Sequence, residues 1–197
     1  MKEIFKTGVV LLIICFVAAL SLAFTNEITK DKIAEQRMMA NELAKKEVLP
    51  AAATFQDVDE DLLLELIESY SPIIEAYIGY NDSNEVVGIV FKSTPTAFGG
   101  AIEVVTGIEL SGEVTGLRIG SHQETPGLGA KAADADFYAQ YAGKSTESYI
   151  GVSKTAASGN DIQAITGATI TSDAVTVGAN ASIDAFKMIM ETGGVGN

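Results

Sequence analysis

The sequence has 197 residues, enough for one ordinary domain and a short appendage, and 47% of them are hydrophobic, which is enough for a folded core. Its 13 basic and 26 acidic residues give a net charge of -13, which repels phosphate backbones and argues against a nucleic-acid partner. One cysteine and one histidine are too few ligands for an iron–sulfur cluster, a bis-histidine haem or a zinc site of the usual type. We therefore expect no metal site, and any redox chemistry needs an organic cofactor.

The N-terminal segment is apolar, and residues 7–26 carry no charge. About 20 such residues, at about 1.5 Å of helical rise each, match a hydrocarbon core of about 30 Å. We predict a single-pass transmembrane anchor over residues 1–26, embedded in the lipid bilayer. A cleaved signal peptide is the alternative, because residues 21–23 form a small-x-small sequence. The lysines that flank the apolar run give only a weak bias in orientation.

Two helices are predicted next. Residues 27–50 are rich in Glu, Lys, Ala, Met and Leu and end at Pro50, which predicts a juxtamembrane helix that continues from the anchor. Residues 59–68 predict a short helix with Asp59 as its N-cap.

The pattern then changes to strands rich in Val, Ile and Tyr. Strands are predicted at residues 73–80, 85–92, 101–110 and 113–119. Turn residues separate the members of each pair, so the natural interpretation is two hairpins.

The C-terminal part predicts a Gly-rich loop, a helical stretch over 134–142, short strands near 149–152 and 161–165, and a final amphipathic helix. The apolar positions of that helix are Val175, Ala179, Ile183, Phe186 and Met190. The whole order predicts an α+β fold: a single N-terminal transmembrane helix and then one domain, residues 51–197, with a largely antiparallel sheet flanked by helices.

A ligand site is predicted where the last strand leads through Gly167 and Ala168 into the final helix. Such a turn exposes backbone N–H groups and the positive end of the helix dipole, which together bind phosphate. Three hydroxyls lie beside it, on Thr166, Thr169 and Thr171. Ordinary helix capping by Thr171 or Ser172 is the alternative explanation.

A second candidate segment spans residues 121–131. Gly127 and Gly129 allow the backbone to approach a flat or charged ligand, and Lys131 would bring one positive charge near a phosphate. The alternative is a plain turn in which His122 is solvated. Residues 96–101 are a weaker candidate, because Gly99-Gly100 is explained equally well by a simple turn.

These segments resemble known signatures. Residues 166–172, Thr-Gly-Ala-Thr-Ile-Thr-Ser, resemble the S/T-G-A-T flavinylation motif of FMN-binding domains. Residues 124–129, Glu-Thr-Pro-Gly-Leu-Gly, resemble the second signature of that family, and Phe98-Gly-Gly100 fits its Gly-Gly loop. With the N-terminal helix and the chain length, the whole sequence resembles the G subunits of Rnf electron-transport complexes. Gln163 departs from the pattern, since the family often has Asp there.

The resemblance implies that FMN is attached covalently, through a phosphoester, to Thr169 by a separate flavin transferase. It implies a cofactor-binding set made of Glu124, Thr125, Gly127, Leu128, Gly129, Lys131, Thr166, Gly167, Ala168, Thr169 and Thr171. It implies no catalytic residue and no metal ligand in this chain.

The implied function is that of an electron-relay flavoprotein subunit of a membrane-bound, ion-translocating ferredoxin:NAD oxidoreductase, with the other Rnf subunits as partners. The soluble domain is expected on the extracytoplasmic side of the cell membrane. One alternative is the C subunit of a sodium-pumping NADH:quinone oxidoreductase, which shares the flavin motif. Others are a stand-alone membrane-anchored flavoprotein reductase and an anchored binding or assembly module without a cofactor.

Overall fold

The computed structural model describes residues 2–193; residue 1 of the predicted anchor and residues 194–197 of the predicted domain lie outside the described residues. The chain forms two compact units, Met1–Glu42 and the residues from Leu43 onward. The helix α1, Lys2–Val48, is continuous through the predicted anchor and most of the predicted juxtamembrane segment. The division of the chain at residues 26 and 50 stays a prediction.

Within the described residues, the first unit consists of α1 as far as Glu42. An 18-residue window of this helix has a mean hydropathy of 2.7 and no buried residue, so the helix is long and apolar enough to cross a membrane. Beyond the apolar part, Lys30 and Glu27 form an ion pair at 2.6 Å and Lys32 and Glu35 form another at 2.7 Å. Pairs at this spacing stabilise the polar part of a helix.

The second unit is built on an antiparallel sheet, which has six strands within the described residues, in the order β1-β2-β3-β6-β7-β8. The strands are β1 Thr54–Asp57, β2 Ile73–Tyr80, β3 Val86–Ser93, β4 Thr96–Ala97, β5 Gly100–Ala101, β6 Val104–Glu109, β7 Glu113–Ile119, β8 Lys144–Ser145, β9 Val152–Ser153 and β10 Ile162–Gln163. The later helices are α2 Glu60–Ser69, α3 Ala135–Tyr138 and α4 Thr169–Thr192, with 3-10 turns at Gly129–Ala133 and Ala139–Tyr141. The predicted α+β fold is confirmed.

Most predicted elements are present. Strands β2 and β7 have the predicted bounds, and Asp59 caps α2 by accepting a hydrogen bond from the Asp61 N–H at 3.1 Å. The helical stretch over 134–142 is only the single turn of α3 followed by a 3-10 turn.

Three strand predictions were too long, and the one near 149–152 is only the two-residue β9. The strand predicted over 101–110 begins at Val104, because Ala101 pairs back with Thr96 in the small β4–β5 hairpin. The strand predicted over 161–165 is the two-residue β10, which pairs in parallel with β9. These short pairings shape the loops around the start of α4.

Helix α4 covers one face of the sheet and buries Val175, Ala179, Ile183 and Phe186 as predicted. Met190 was predicted on the same face, but it is 43% exposed, because Ile189 takes the buried position at the end of the helix. Burial of this apolar stripe holds the helix, and therefore its N-terminus, against the sheet.

The opposite face of the sheet is covered by residues 48 and 49 at the end of α1. Added Cβ atoms at four positions would collide with, or press against, Val48 and Leu49; we call these positions the glycine floor, Gly79, Gly88, Gly107 and Gly116. The Thr115 hydroxyl donates a hydrogen bond to the Val48 carbonyl, and Arg118 Nε lies 2.7 Å from a carboxylate oxygen of Glu47. The end of α1 is thus packed directly on the sheet backbone.

Candidate functional site

A cleft of about 360 Å³ lies at the start of α4. Three segments line it: the turn of the β4–β5 hairpin, the loop that follows β7, and the turn from β10 into α4. Its lining residues are Phe98, Glu124, Thr125, Leu128, Gly129, Gly167, Ala168, Thr169, Ile170 and Thr171. The structure therefore brings the two motif segments and the Gly-Gly hairpin to one place, although about forty residues separate the motifs in the sequence.

Three residues of the predicted set lie outside this cleft. Lys131 and Thr166 line a neighbouring depression of about 360 Å³, on the other side of the Gly167 turn. Gly127 lines neither one; it is exposed, with φ +78° and open space around its Cα. Gly127 therefore serves the left-handed turn of the loop.

Sequence reasoning left two cleft residues out of the predicted set. Phe98 lies at the tip of the β4–β5 hairpin, next to the Gly-Gly pair, and Ile170 is the second residue of α4. Both are large apolar side chains among small residues: Phe98 stands between Ala97 and Gly99, and Ile170 between Thr169 and Thr171. That contrast is the signal in the sequence that marks them.

Glu124 is the buried polar centre of the cleft, with 6% of its surface exposed. Its Oε1 accepts a hydrogen bond from the Gly99 N–H at 2.6 Å, and its Oε2 accepts one from the Thr171 hydroxyl at 2.6 Å. Within residues 2–193 it forms no ion pair. A buried carboxylate needs such donors, because its desolvation is otherwise uncompensated.

Two glycines permit this arrangement by close approach. An added Cβ at Gly99 would collide with the backbone carbonyl of Gln123, and one at Gly129 would collide with the Glu124 carboxylate. The same atom at Gly129 would lie 2.7 Å from the Thr171 hydroxyl. Glycine is required at both positions for the loops to meet.

Helix α4 begins without a side-chain cap. Thr169 is its first residue, and the N-cap position is Ala168, which has no oxygen in its side chain. Capping by Thr171 or Ser172, the alternative explanation, is wrong: Thr171 donates to Glu124, and Ser172 Oγ accepts from the Ile165 N–H at 2.9 Å. No side-chain acceptor therefore caps the first N–H groups of the helix.

The mouth of the cleft is apolar. Phe98 is 71% exposed, Ile170 58% and Leu128 44%, and no Lys or Arg is among the described lining residues. The cleft therefore combines hydrophobic walls with an uncapped helix start, which suits a flat aromatic ligand that carries an anionic group.

Comparison with known protein families and relatives agrees with this arrangement. The FMN-binding domain family matches residues 97–184, and the RnfG N-terminal region matches residues 1–48. The chain is 43% identical to the G subunit of the Na(+)-translocating ferredoxin:NAD(+) oxidoreductase complex of Acetobacterium woodii, over 94% of this chain and 93% of that protein. It is 31% identical to the G subunit of the ion-translocating oxidoreductase complex of Escherichia coli, over 89% and 87% of the two chains.

Solved structures support the fold. The crystal structure of Shewanella oneidensis NqrC matches with a TM-score of 0.52 at 16% identity, over 73% of each chain. The C subunit of the Na(+)-translocating NADH-quinone reductase from Parabacteroides distasonis matches with a TM-score of 0.51 at 15% identity, over 68% of this chain and 78% of that one. The fold is shared with these C subunits, whereas the whole-chain sequence similarity is to G subunits. The chain therefore belongs to the family of G subunits of ion-translocating oxidoreductase complexes and contains an FMN-binding domain.

Proposed function

We propose that this chain is an electron-relay subunit of a membrane-bound, ion-translocating ferredoxin:NAD oxidoreductase and carries FMN as a phosphoester on Thr169. The observation that carries the proposal is the position of the Thr169 hydroxyl, at the uncapped start of α4 and in the lining of the apolar cleft. When bound, FMN supplies the redox chemistry, and the protein supplies position and electrostatics.

The surroundings of the three threonines favour Thr169 as the attachment site. The Thr171 hydroxyl already donates to Glu124, and Thr166 lines the neighbouring depression. Among the described residues, the Thr169 hydroxyl has no hydrogen-bond partner. Of the three threonines, only Thr169 both lines the cleft and has a hydroxyl without a hydrogen-bond partner among the described residues.

The helix start favours a phosphate beside Thr169. Backbone N–H groups and the helix dipole stabilise an anion there. No basic side chain is among the described residues that line the cleft, and the chain as a whole is acidic, so charge attraction alone would hold free FMN weakly. A covalent ester keeps the cofactor in place without a basic pocket.

The apolar mouth favours the flavin ring. Phe98, Leu128 and Ile170 offer flat or aliphatic surfaces that remain exposed, so a ring between them keeps one edge open to a partner protein. An electron relay needs such an open edge. The proposed partners are the other subunits of the complex and, for maturation, a flavin transferase.

The likeness to G subunits over nearly the full chain favours this function over that of the C subunits, whose structures match at 15–16% identity.

The helix α1 would anchor the chain in the lipid bilayer, with the flavin domain on the extracytoplasmic side. The test of this topology is a cysteine in the exposed β2–β3 turn, Ser83→Cys, in a Cys15→Ala background. The introduced cysteine should react with a membrane-impermeant thiol reagent in intact cells. Reaction only after lysis would place the domain on the cytoplasmic side and contradict the proposed topology.

Intact mass spectrometry of the full-length protein, produced with a flavin transferase, tests the attachment. In the net reaction the Thr169 hydroxyl oxygen becomes bonded to the FMN phosphorus and one water is lost, so the chain gains the mass of FMN minus water. The added mass and the flavin fluorescence should remain after denaturation and should map to the peptide that contains Thr169.

Purification of the chain from its membrane with the other subunits attached tests the relay function. A chain that purifies alone while still reducing an acceptor supports the stand-alone reductase instead.

A further inference from the structure

We infer that Glu124 is a positioning residue whose carboxylate clamps the β4–β5 turn to the first turn of α4 across the cleft, so that Phe98 and Thr169 keep a fixed relation. The importance of the clamp for electron transfer rests on the proposed function. The clamp itself is a property of the protein alone and is tested without the cofactor.

The clamp joins segments that are distant in sequence. Gly99 precedes Glu124 by 25 residues and Thr171 follows it by 47, yet each donates a hydrogen bond of 2.6 Å to a different oxygen of the same carboxylate. Both bonds to an ionised carboxylate are charge-assisted, and such bonds are stronger than neutral ones. One side chain therefore holds both walls of the cleft.

The surroundings of Glu124 leave little room for another arrangement. Gly129 lies directly beneath the carboxylate, and Gly99 is pressed against the Gln123 carbonyl, so neither loop can shift inward. The Glu124 N–H also donates to His122 Nδ1 at 3.3 Å, which orders the backbone that carries the clamp. Loss of either arm would leave a buried carboxylate oxygen without a donor, and that is costly.

The clamp determines where the functional side chains lie. Phe98 is adjacent to Gly99 in a tight turn, and Thr169 is two residues before Thr171 in the same helical turn. Glu124 acts through these neighbours rather than on the flavin. The Thr171 hydroxyl, predicted from the family resemblance to bind the cofactor, is assigned to the clamp instead.

A matched pair of variants isolates the helical arm. Thr171→Val keeps the volume and branching of the side chain and removes the donor, whereas Thr171→Ser keeps the donor. Glu124→Ala removes both arms and is the stronger variant; if it fails to fold, the Thr171 pair still decides the question. The sequence contains no Trp, so Phe98→Trp introduces a unique fluorophore at the hairpin tip in each background.

The first measurement uses the full-length chain without flavin. The Gly99 amide should exchange its hydrogen roughly fivefold faster in Thr171→Val than in wild type, because the carboxylate that accepts from Gly99 loses its other donor and with it about one net hydrogen bond of restraint; in Thr171→Ser it should exchange at the wild-type rate. The indole of the Phe98→Trp background should show lower anisotropy in the Val variant only. Unchanged exchange and anisotropy in Thr171→Val and Glu124→Ala would overturn the clamp.

The second measurement uses protein loaded with FMN. In the Phe98→Trp background the indole should quench flavin fluorescence uniformly while the clamp is intact, and Thr171→Val should add a longer lifetime component that Thr171→Ser lacks. A single short lifetime in Thr171→Val would show that Phe98 is positioned by something else and would overturn the inference. If wild type never acquires FMN, the proposed function fails, whereas the cofactor-free measurement still decides the clamp.

Discussion

The two depressions on either side of the Gly167 turn have similar volumes but opposite chemistry. Phe98, Leu128 and Ile170 dominate the mouth of the cleft, whereas the neighbouring depression is lined by charged and amide groups, including Lys131, Asp134 and Gln140. Thr169 lines the first and Thr166 the second, although the two are one helical turn apart in sequence.

Under the proposed attachment to Thr169, this difference would explain how one short motif contains several hydroxyls and uses one of them. Gly167 has φ +78°, which reverses the chain between the two threonines. The side of the turn on which a hydroxyl emerges, rather than its spacing in the motif, decides which depression it reaches. Four predictions, three of them with a control substitution, test how far this contrast extends.

The largest expected effect is that of Thr169→Ala. Of the three motif threonines, Thr169 is the one that lines the cleft and whose hydroxyl has no hydrogen-bond partner among the described residues, so covalent flavin should be lost completely and electron transfer through the complex should stop. The fold should remain, since the Thr169 side chain makes no hydrogen bond with a described residue and does not cap the helix. Intact mass and in-gel fluorescence measure the loss.

Thr166→Ser is the matched control on the polar side of the turn and should retain the flavin. Added flavin mass on Thr169→Ala would contradict the assignment of Thr169 as the attachment site and would favour Thr166 instead. The same result would mean that the depression, not the cleft, receives the phosphate.

Ile170→Asp should weaken binding of the flavin phosphate in the cleft without destabilising α4. A carboxylate in the first turn of α4 is favourable for the helix dipole, but it competes with a phosphate for the same N–H groups and should lower the rate of flavin incorporation roughly fivefold. Val177→Asp is the control, because this residue is also exposed and apolar on α4 but lies outside the cleft. Equal rates for both variants would exclude the helix start as the anion site.

Gly129→Ala should destabilise the domain by about 1–3 kcal/mol, because the added methyl group collides with the Glu124 carboxylate. Gly127→Ala meets no atom and should cost only the strain of its positive φ, about 1 kcal/mol. Urea unfolding of the detergent-solubilised chain measures both. A larger loss of unfolding free energy for Gly127→Ala than for Gly129→Ala would mean that the backbone of the loop, and not the Glu124 carboxylate, limits packing at the site.

Tyr141→Phe should have the smallest effect. The Tyr141 hydroxyl is buried and lies 2.7 Å from the Thr176 hydroxyl, so its removal should cost about 1 kcal/mol at neutral pH. Burial raises the pKa of Tyr141 well above its ordinary value of 10.0.

The pH dependence of stability follows from that shift. Folding favours the neutral phenol, so the stabilisation is complete below pH 10.0 and is lost as the pH rises above it. Wild type should therefore lose stability more steeply than Tyr141→Phe between neutral and strongly alkaline pH. Parallel curves would mean that Tyr141 ionises freely in the folded state.

Sequence reasoning recovered the parts of the fold that depend on local pattern. The alternating apolar residues of β2 and β7 gave their bounds, and the two motif segments fell in one cleft. It missed Ile189 in favour of Met190 because a helix drifts relative to a fixed repeat over about four turns. It missed β1 and β8 because these short strands carry too few apolar residues to be distinguished from loops.

The role of Glu124 could not be read from the sequence for a different reason. Its partners are 25 and 47 residues away, and nothing near Glu124 indicates which amide or hydroxyl the fold will bring to it. Local patterns specify elements, whereas a carboxylate shared between two distant loops is specified only by the packing of those elements. The family resemblance located the residue and left its task open.

The glycine floor determines where this polypeptide can be cut to give a well-behaved soluble fragment. A fragment that begins at residue 51 lacks Val48 and Leu49, so it would expose the floor together with Val90 and Val105, which pack with them. An uncovered apolar face of this kind promotes self-association. A fragment that begins at Leu43 keeps Val48 and Leu49 on the glycine floor and should therefore be monomeric in solution. The six helical residues from Leu43 to Val48 would then determine the solubility of the domain, although none of them lines the cleft.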